Sequence, residues 1–312
     1  ECPLPAAEAD RRDLVSGLVT LHLDEFLWAG FVHPAPIELL MTPRETGLRG
    51  FYFSTESSVG ALEEAHLDLA LHALGSNLEE FVHIERSFTV SSNVSHEFFS
   101  VLGRAILGWK SLRVLQLGSD ALSRLSYVLP LSHLLISLPS LHSLGQVECS
   151  WQDPAWFFEG LQGHSLERLE DLFVYINSPM ASAVSENGEE TGASCALRCV
   201  AEHVVQAAPR LRRLFVEVYD EDAISPQEAA EALMPLHVLR TLSHVHLLRS
   251  SANCPPLCND LKEWSGACFA TSFEVIVHDA SRQSAGRYPY EWLVEDIVAI
   301  CDTCCGLAAM SN

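Results

Sequence analysis

Two histidines are the residues of this sequence whose spacing most directly suggests chemistry. His244 and His246 stand two apart in a stretch with strand-like alternation, so both side chains are expected on one side of a strand. There they could share a ligand or a proton. Without a carboxylate or thiol at a known distance, the pair is a weak indication of catalysis, and the chain contains no G-x-S-x-G, phosphate-binding glycine loop or H-E-x-x-H motif. The sequence therefore predicts that the protein is not an enzyme.

The ten cysteines raise the hypothesis of a metal site. The pair at 195 and 199 has helical spacing, and the pair at 254 and 258 brackets two prolines. A structural zinc site needs two close pairs at a fixed separation, and only Cys301 and Cys304 form a C-x2-C pair here. We therefore expect no metal and no cofactor. Most of the thiols lie in apolar segments, which favours reduced, buried cysteines and a cytoplasmic or nuclear protein.

Charge and hydropathy exclude two classes of partner. The chain has 312 residues, with 19 Lys and Arg against 41 Asp and Glu, for a formal net charge of −22. It lacks the basic stripe of a nucleic-acid-binding protein, so no nucleic-acid partner is expected. No apolar run reaches the ~18 residues that cross a bilayer, so no membrane partner is expected either. An acidic surface favours a protein partner with a basic surface.

The elements that would position these side chains follow from an internal repeat. A spacing equal or close to L-x-x-L-x-L recurs at steps of 28 to 34 residues, with one step of 42. The nine starts are Leu18, Leu48, Leu78, Leu112, Leu141, Leu169, Leu211, Leu242 and Ala270. Helical periodicity follows several starts, as in SHEFFSVLGRAILGW after Leu78 and in SPQEAAEALMPL, where Pro226 suits a first helical position. Each unit therefore predicts a strand followed by a helix.

The pattern resembles the leucine-rich repeat family, whose signature is L-x-x-L-x-L-x-x-N/C-x-L. The ninth position carries Cys149 and Asn177 in two consecutive units and Asp120 in the unit before them, whereas the outer units depart from the signature. The resemblance implies an α/β solenoid, or horseshoe, of about nine irregular repeats, with a curved parallel sheet on the concave side and helices outside. Leu112, Leu115 and Leu117 would point into its shared core.

One domain is expected over residues 1–312. It would have an N-terminal cap at about 1–17, a surface loop insertion at about 178–194 and a C-terminal capping helix at about 288–307. The insertion is rich in Ser, Gly and Glu and has no apolar period, which is typical of a surface loop.

Alternate strand residues would face the concave side, and those of three consecutive units are rich in aromatic rings. Exposed aromatic residues with a few charges are typical of a protein-binding surface. The predicted partner-binding residues are Tyr52, Phe173, Tyr175, Arg213, Phe215, Glu217, Tyr219, His244, His246 and Glu274. The alternatives are that aromatic residues simply favour strands, or that a C-terminal extension covers them.

Long, irregular and acidic repeats of this pitch are similar to the substrate-binding region of F-box proteins, particularly the divergent fungal ones. The resemblance implies a protein-interaction module within a ubiquitin ligase. Its F-box would lie upstream of Glu1, since APIELLMTPRE at 35–45 lacks the apolar helix that follows in an F-box. A ubiquitin-ligase adaptor is then expected as a partner only if such an F-box is present. The alternative is a secreted or host-directed recognition protein without catalytic activity, whose cysteines would be paired.

Overall fold

The computed structural model has α/β architecture, with helices and a nine-stranded parallel sheet. It describes residues 20–23, 49–55, 71, 77–85, 96–117, 121–150, 153–177, 193–219, 224, 226–250 and 273–279. The expected cap at 1–17 and the expected helix at 288–307 lie outside these residues. Among the helices described, none is long and apolar enough to cross a membrane.

The strands follow one another across the sheet in chain order, and every pairing is parallel. They are β1 Thr20–Leu23, β2 Gly50–Thr55, β3 Glu80–Glu85, β4 Val114–Gln116, β5 Ser143–Ser150, β6 Asp171–Asn177, β7 Arg213–Tyr219, β8 His244–Ser250 and β9 Glu274–Asp279. Each of the first eight strands begins two residues after a predicted repeat start, which confirms the predicted positions of those strands.

Helices occupy several of the connections between strands, as parallel neighbours require. They are α1 His96–Gly108, α2 Ala121–Val128, α3 Leu131–Ile136, α4 Trp156–Gly160, α5 Ala193–Ala207 and α6 Pro226–Leu233, which continues into a 3₁₀ helix at Met234–Val238. The expected helices after Leu78 and Leu211 are therefore confirmed, with Pro226 at the first helical position. Two predicted boundaries need correction.

The predicted loop insertion at about 178–194 overlaps the start of helix α5 by two residues, and the rest of it, 178–192, lies outside the described residues. Helix α5 begins at Ala193, and this alanine is already buried in the core. The ninth repeat was also placed two residues too early. Glu274 pairs with His244, and Val275 pairs with Val245, so β9 begins four residues after the predicted start at Ala270 instead of two. A shift of two leaves each side chain on the same face of the strand, so the face predicted for Glu274 does not change.

One face of the sheet and the inner sides of the helices share a single apolar core. Leu112, Leu115 and Leu117 belong to it, which confirms their predicted inward direction. The helix residues Leu102, in α1, and Val204, in α5, are both fully buried against it. We call this side of the sheet the helix-facing side, and the other side the opposite face.

A repeated backbone hydrogen bond aligns the units before each strand begins. The backbone carbonyl oxygen at the second position of one unit accepts two hydrogen bonds from the next unit. The donors are the N–H group at the second position of that unit and the N–H group of the residue after it. Glu170 accepts from the amides of Arg212 and Arg213 at 2.7 and 3.0 Å, and Arg212 accepts from the amides of Ser243 and His244 at 2.8 and 3.2 Å. The same pattern recurs at Arg49, Glu79, Arg113 and His142. These bonds satisfy backbone groups that burial would otherwise leave unpaired.

Candidate functional site

The candidate site lies on the opposite face of three adjacent strands. Strand register brings seven of the ten predicted binding residues together there, in positions that repeat from strand to strand. We call this cluster the β6–β8 patch: Phe173, Tyr175, Arg213, Phe215, Glu217, His244 and His246.

The aromatic centre of the patch is buried, which corrects the expectation of exposed rings. Phe173 is 5 % exposed, Phe215 4 % and His246 4 %, although none of them belongs to the helix-facing core. The Phe215 ring stacks on His246, with centroids 4.4 Å apart and an angle of 14°, and it lies 6.4 Å from the Phe173 ring. Neighbouring strands are about 4.8 Å apart, so rings at the same register position cover one another. Tyr175, in contrast, is partly exposed.

A glycine makes room for this aromatic row. Strand β5 has a bulge between Leu144 and Val147, and Gly145 lies inside it. A Cβ atom added to Gly145 would approach the Cβ of Phe173 to 3.2 Å and the Cγ of Gln116 to 3.6 Å. The glycine therefore allows the backbone of β5 to lie close to Phe173.

Arg213 is held by a partner that the predicted binding set omitted. Its Nε and Nη2 atoms donate to the two carboxylate oxygens of Asp171, each at 2.6 Å. This bidentate pairing, mainly through the hydrogen bonds, raises the pKa of Arg213. Both residues stand two positions after the first leucine of adjacent repeats, so the repeat alignment contained the signal for this pair. The guanidinium is thus engaged within the sheet before any partner binds.

Glu217 supplies the carboxyl group of the β6–β8 patch, and its pKa is shifted. It is only partly exposed, and burial raises its pKa from 4.5 to about 7. A carboxylate in this position lacks much of the hydration that normally favours the charged form. Its register partner on β6 is Tyr175.

The two histidines have different surroundings. His246 is buried against Phe215, as described, whereas His244 is only partly buried and lies 6.1 Å from His246, measured between ring centroids. Ser243 Oγ donates to the carbonyl oxygen of Arg212 at 3.0 Å and also lies 2.8 Å from His244 Nδ1. Because a serine hydroxyl has a single hydrogen, Ser243 can donate to only one of these two acceptors at a time.

The other three predicted residues lie elsewhere on the sheet or have side chains outside the described part. Tyr52 is on β2, four strands from β6, and is not part of the patch. Tyr219 ends β7 opposite Asn177, and Glu274 begins β9 opposite His244. The structure describes the backbone position of these three residues, and Glu274 extends the row that contains His244 to the edge of the sheet.

The cysteines that the structure describes are Cys149, Cys195 and Cys199, and all three are free. Cys149 is fully buried, and burial raises its pKa strongly; burial also raises the pKa of Cys199. Cys199 Sγ lies 3.6 Å from Nδ1 of His203, four residues further along α5. Within the described ranges, no three His, Cys, Asp or Glu residues are grouped so that they could hold a metal ion.

Comparison with known proteins adds no family assignment. No protein-family model matches the chain, and no curated protein matches it. The geometry of the β6–β8 patch and the repeat pattern are therefore the observations from which function is argued.

Proposed function

We propose that this protein is a leucine-rich repeat solenoid that binds a protein partner through the β6–β8 patch. The observation that carries the proposal is the register of β6, β7 and β8, which gathers aromatic rings, Arg213 and Glu217 on one face of the sheet. Such a mixture of aromatic and charged groups is typical of protein interfaces. The net charge of −22 favours a partner with a basic surface.

The solenoid part of the proposal has a geometric basis. Parallel strands are about 4.8 Å apart, whereas packed helices are about 8–10 Å apart. A sheet in chain order with helices along one side must bend to reconcile the two spacings, and the strands then line the concave side. The in-register units and the repeated carbonyl hydrogen bond support this arrangement. Small-angle scattering tests it, because a horseshoe gives a larger maximum dimension than a compact particle of the same mass.

The partly exposed rim of the patch is the place to test binding. Truncating Phe215 would also remove buried packing, so Tyr175→Ala is the better variant, with Tyr127→Ala as control because Tyr127 is an exposed tyrosine on α2. Quantitative affinity purification should find a protein that wild type and Tyr127→Ala retain equally. Tyr175→Ala should retain it at least about tenfold less, on the usual scale of interface residues. Equal retention by all three would contradict the proposed surface.

We further propose that the module recognises the substrate of an F-box-type ubiquitin ligase, as the repeat resemblance implies. This step requires an F-box upstream of Glu1 and is tested separately, with the protein that includes the upstream sequence. Co-purification of a ubiquitin-ligase adaptor supports the proposal, and loss of the adaptor on removing the upstream segment locates the contact. If no adaptor co-purifies, the ubiquitin-ligase part fails, whereas the binding surface stands on its own test.

The alternative, a secreted recognition protein, is distinguished by its thiols. The described pair Cys195 and Cys199 is unbonded, which supports reduced cysteines. Titration of the denatured native chain should therefore count ten free thiols. Fewer than about six would favour the secreted protein, because disulfides persist in oxidising compartments.

A further inference from the structure

A second row of the opposite face places a tyrosine between two acidic residues. Strand pairing sets Glu148 on β5 beside Tyr175 on β6, and Tyr175 beside Glu217 on β7. With strands about 4.8 Å apart, the two acidic residues flank the tyrosine at about 10 Å from each other. Phe173 and Phe215 occupy the preceding register row and are buried. Aromatic faces and carboxylates therefore adjoin on one small part of the sheet.

Glu217 has no cationic partner among the residues that the structure describes. No described side chain forms a hydrogen bond or an ion pair with it. Arg213 is on the same strand and the same face, but it lies four residues away, about 13 Å along the strand, and its guanidinium is bound to Asp171. Burial of Glu217 thus carries a cost that no described residue offsets with a hydrogen bond or an ion pair.

Other ionisable groups face this region from each neighbouring strand. Among the side chains that the structure describes, they are Glu148 from β5, Asp171 and Tyr175 from β6, Arg213 on β7, and His244 and His246 from β8. The acidic groups make the region more favourable for a cation. The histidines lie on β8, in the two rows that precede the row of Glu217.

We propose that Glu217 and Tyr175 receive the guanidinium group of an arginine side chain from the protein partner. This inference rests on the proposed function and names the chemistry of its central contact. A guanidinium is planar and weakly hydrated, stacks on aromatic faces and pairs with a carboxylate through two hydrogen bonds. A lysine ammonium matches a flat aromatic and carboxylate surface less well because it is a compact, strongly hydrated point charge.

The pH dependence of binding gives a specific signature. The pKa of Glu217 in the free protein is about 7, and the cation binds its ionised form. At pH 6 most free protein molecules therefore carry a proton on Glu217, which must leave before the cation binds. At pH 8 almost all of them already have the ionised carboxylate. Affinity should rise about tenfold between these two pH values. Glu217→Gln should abolish this rise, which separates Glu217 from the other ionisable groups on the same face.

The test is an NMR titration of the full chain, labelled at glutamate Cδ, with acetyl-Gly-Arg-Gly-amide. The matched probe is the same tripeptide with citrulline, which keeps the shape of arginine and loses its charge. The arginine peptide should shift the Glu217 signal saturably, lower its pKa by at least one unit, and bind at least tenfold more tightly than the citrulline peptide. Glu217→Gln should weaken arginine binding at least tenfold, whereas Glu202→Gln, an exposed position on α5, should not.

Two outcomes overturn the inference. One is the absence of saturation by the arginine peptide up to about 50 mM, and the other is equal binding of the arginine and citrulline peptides. Tyr175→Leu provides a second variant if Glu217→Gln does not fold, and it should also weaken arginine binding. If Tyr175→Ala loses the partner but the arginine peptide does not bind, only this inference fails. If the arginine peptide binds but Tyr175→Ala retains the partner, the proposed interface fails instead.

Discussion

The two faces of the sheet are made from the same strands and contain very different residues. The helix-facing side repeats one kind of side chain at one register position, and each of these residues is at most 1 % exposed: Phe81, Leu115, Leu144, Leu172, Leu214 and Val245. The next position, on the opposite face, carries Val82, Gln116, Gly145, Phe173, Phe215 and His246. The first set packs against the helices as well as against neighbouring strands, whereas the described ring contacts of the second set are with cross-strand neighbours. Sequence variety, and with it the candidate binding chemistry, is therefore concentrated on the opposite face.

The largest loss of stability should come from a substitution on the helix-facing side. Leu214→Ala removes a fully buried side chain from a core that helices close on one side and neighbouring strands close on two. We expect the free energy of unfolding to fall by about 2–5 kcal/mol, because the cavity collapses only in part. Urea denaturation measures this change. Arg212→Ala, at an exposed position two residues earlier, should change it by less than about 0.5 kcal/mol. A loss below about 1 kcal/mol at Leu214 would mean that the two faces do not differ in packing.

A smaller change, an increase in the free energy of unfolding, is expected when Glu217 on the opposite face is replaced by Gln. Burial raises the pKa of its carboxyl group from 4.5 to about 7, so the folded protein holds a proton that the unfolded chain releases. Stability should therefore fall as the pH rises from about 4.5 to about 7 and stay lower above that range. Glu217→Gln should raise the free energy of unfolding at pH 8 by about 1–3 kcal/mol, a range that allows for partial solvent exposure, and by little at pH 4. Unfolding curves at both pH values, with Glu202→Gln as control, measure the difference. A destabilised Glu217→Gln protein at pH 8 would show that the carboxylate has a stabilising partner.

The smallest effect should come from the ion pair at the start of β6 and β7. A double-mutant cycle of Asp171→Ala and Arg213→Ala should give a coupling energy of about 1 kcal/mol, because the pair is bidentate but partly exposed. The coupling should weaken between about 0.1 M and 1 M salt. The cycle of Glu170 and Arg212, a single 3.4 Å contact between more exposed groups, serves as the comparison. Equal coupling in the two cycles would show that bidentate geometry adds nothing here.

Much of the sheet could be predicted from the spacing of leucines. Eight strand positions follow directly from the repeat starts, since residues buried against neighbouring units recur at the same position in every unit. The ninth was misplaced by two residues because ATSFEV matches the pattern poorly, and only its pairing with β8 fixes the phase. The boundary of α5 was misjudged for a related reason. Ala193 and Ser194 resemble the small residues that precede them in the sequence, although Ala193 begins a helix and is buried.

The candidate site was predicted less completely than the sheet. Alternation along β6, β7 and β8 correctly assigned the seven residues of the β6–β8 patch to one face, and adjacent repeats correctly placed them side by side. The burial of Phe173 and Phe215 was not predicted, because it depends on how closely rings on neighbouring strands cover one another. The role of Asp171 was also missed, because the choice between a solvated acid and a bidentate partner depends on side-chain geometry.

The sequence by itself determined the order and phase of most strands. Apolar residues that recur at the same position of each unit all face one core when successive strands pair in register. The sequence also determined which residues share a face, because side chains alternate strictly along a strand. Tertiary structure alone decided how far each of those residues is buried and which of them already has a partner within the fold. Arg213 is bound to Asp171, the phenylalanine rings are covered, and Glu217 keeps a carboxyl group with no described partner. These differences arise from distances of a few ångströms between side chains, which the one-dimensional pattern does not contain.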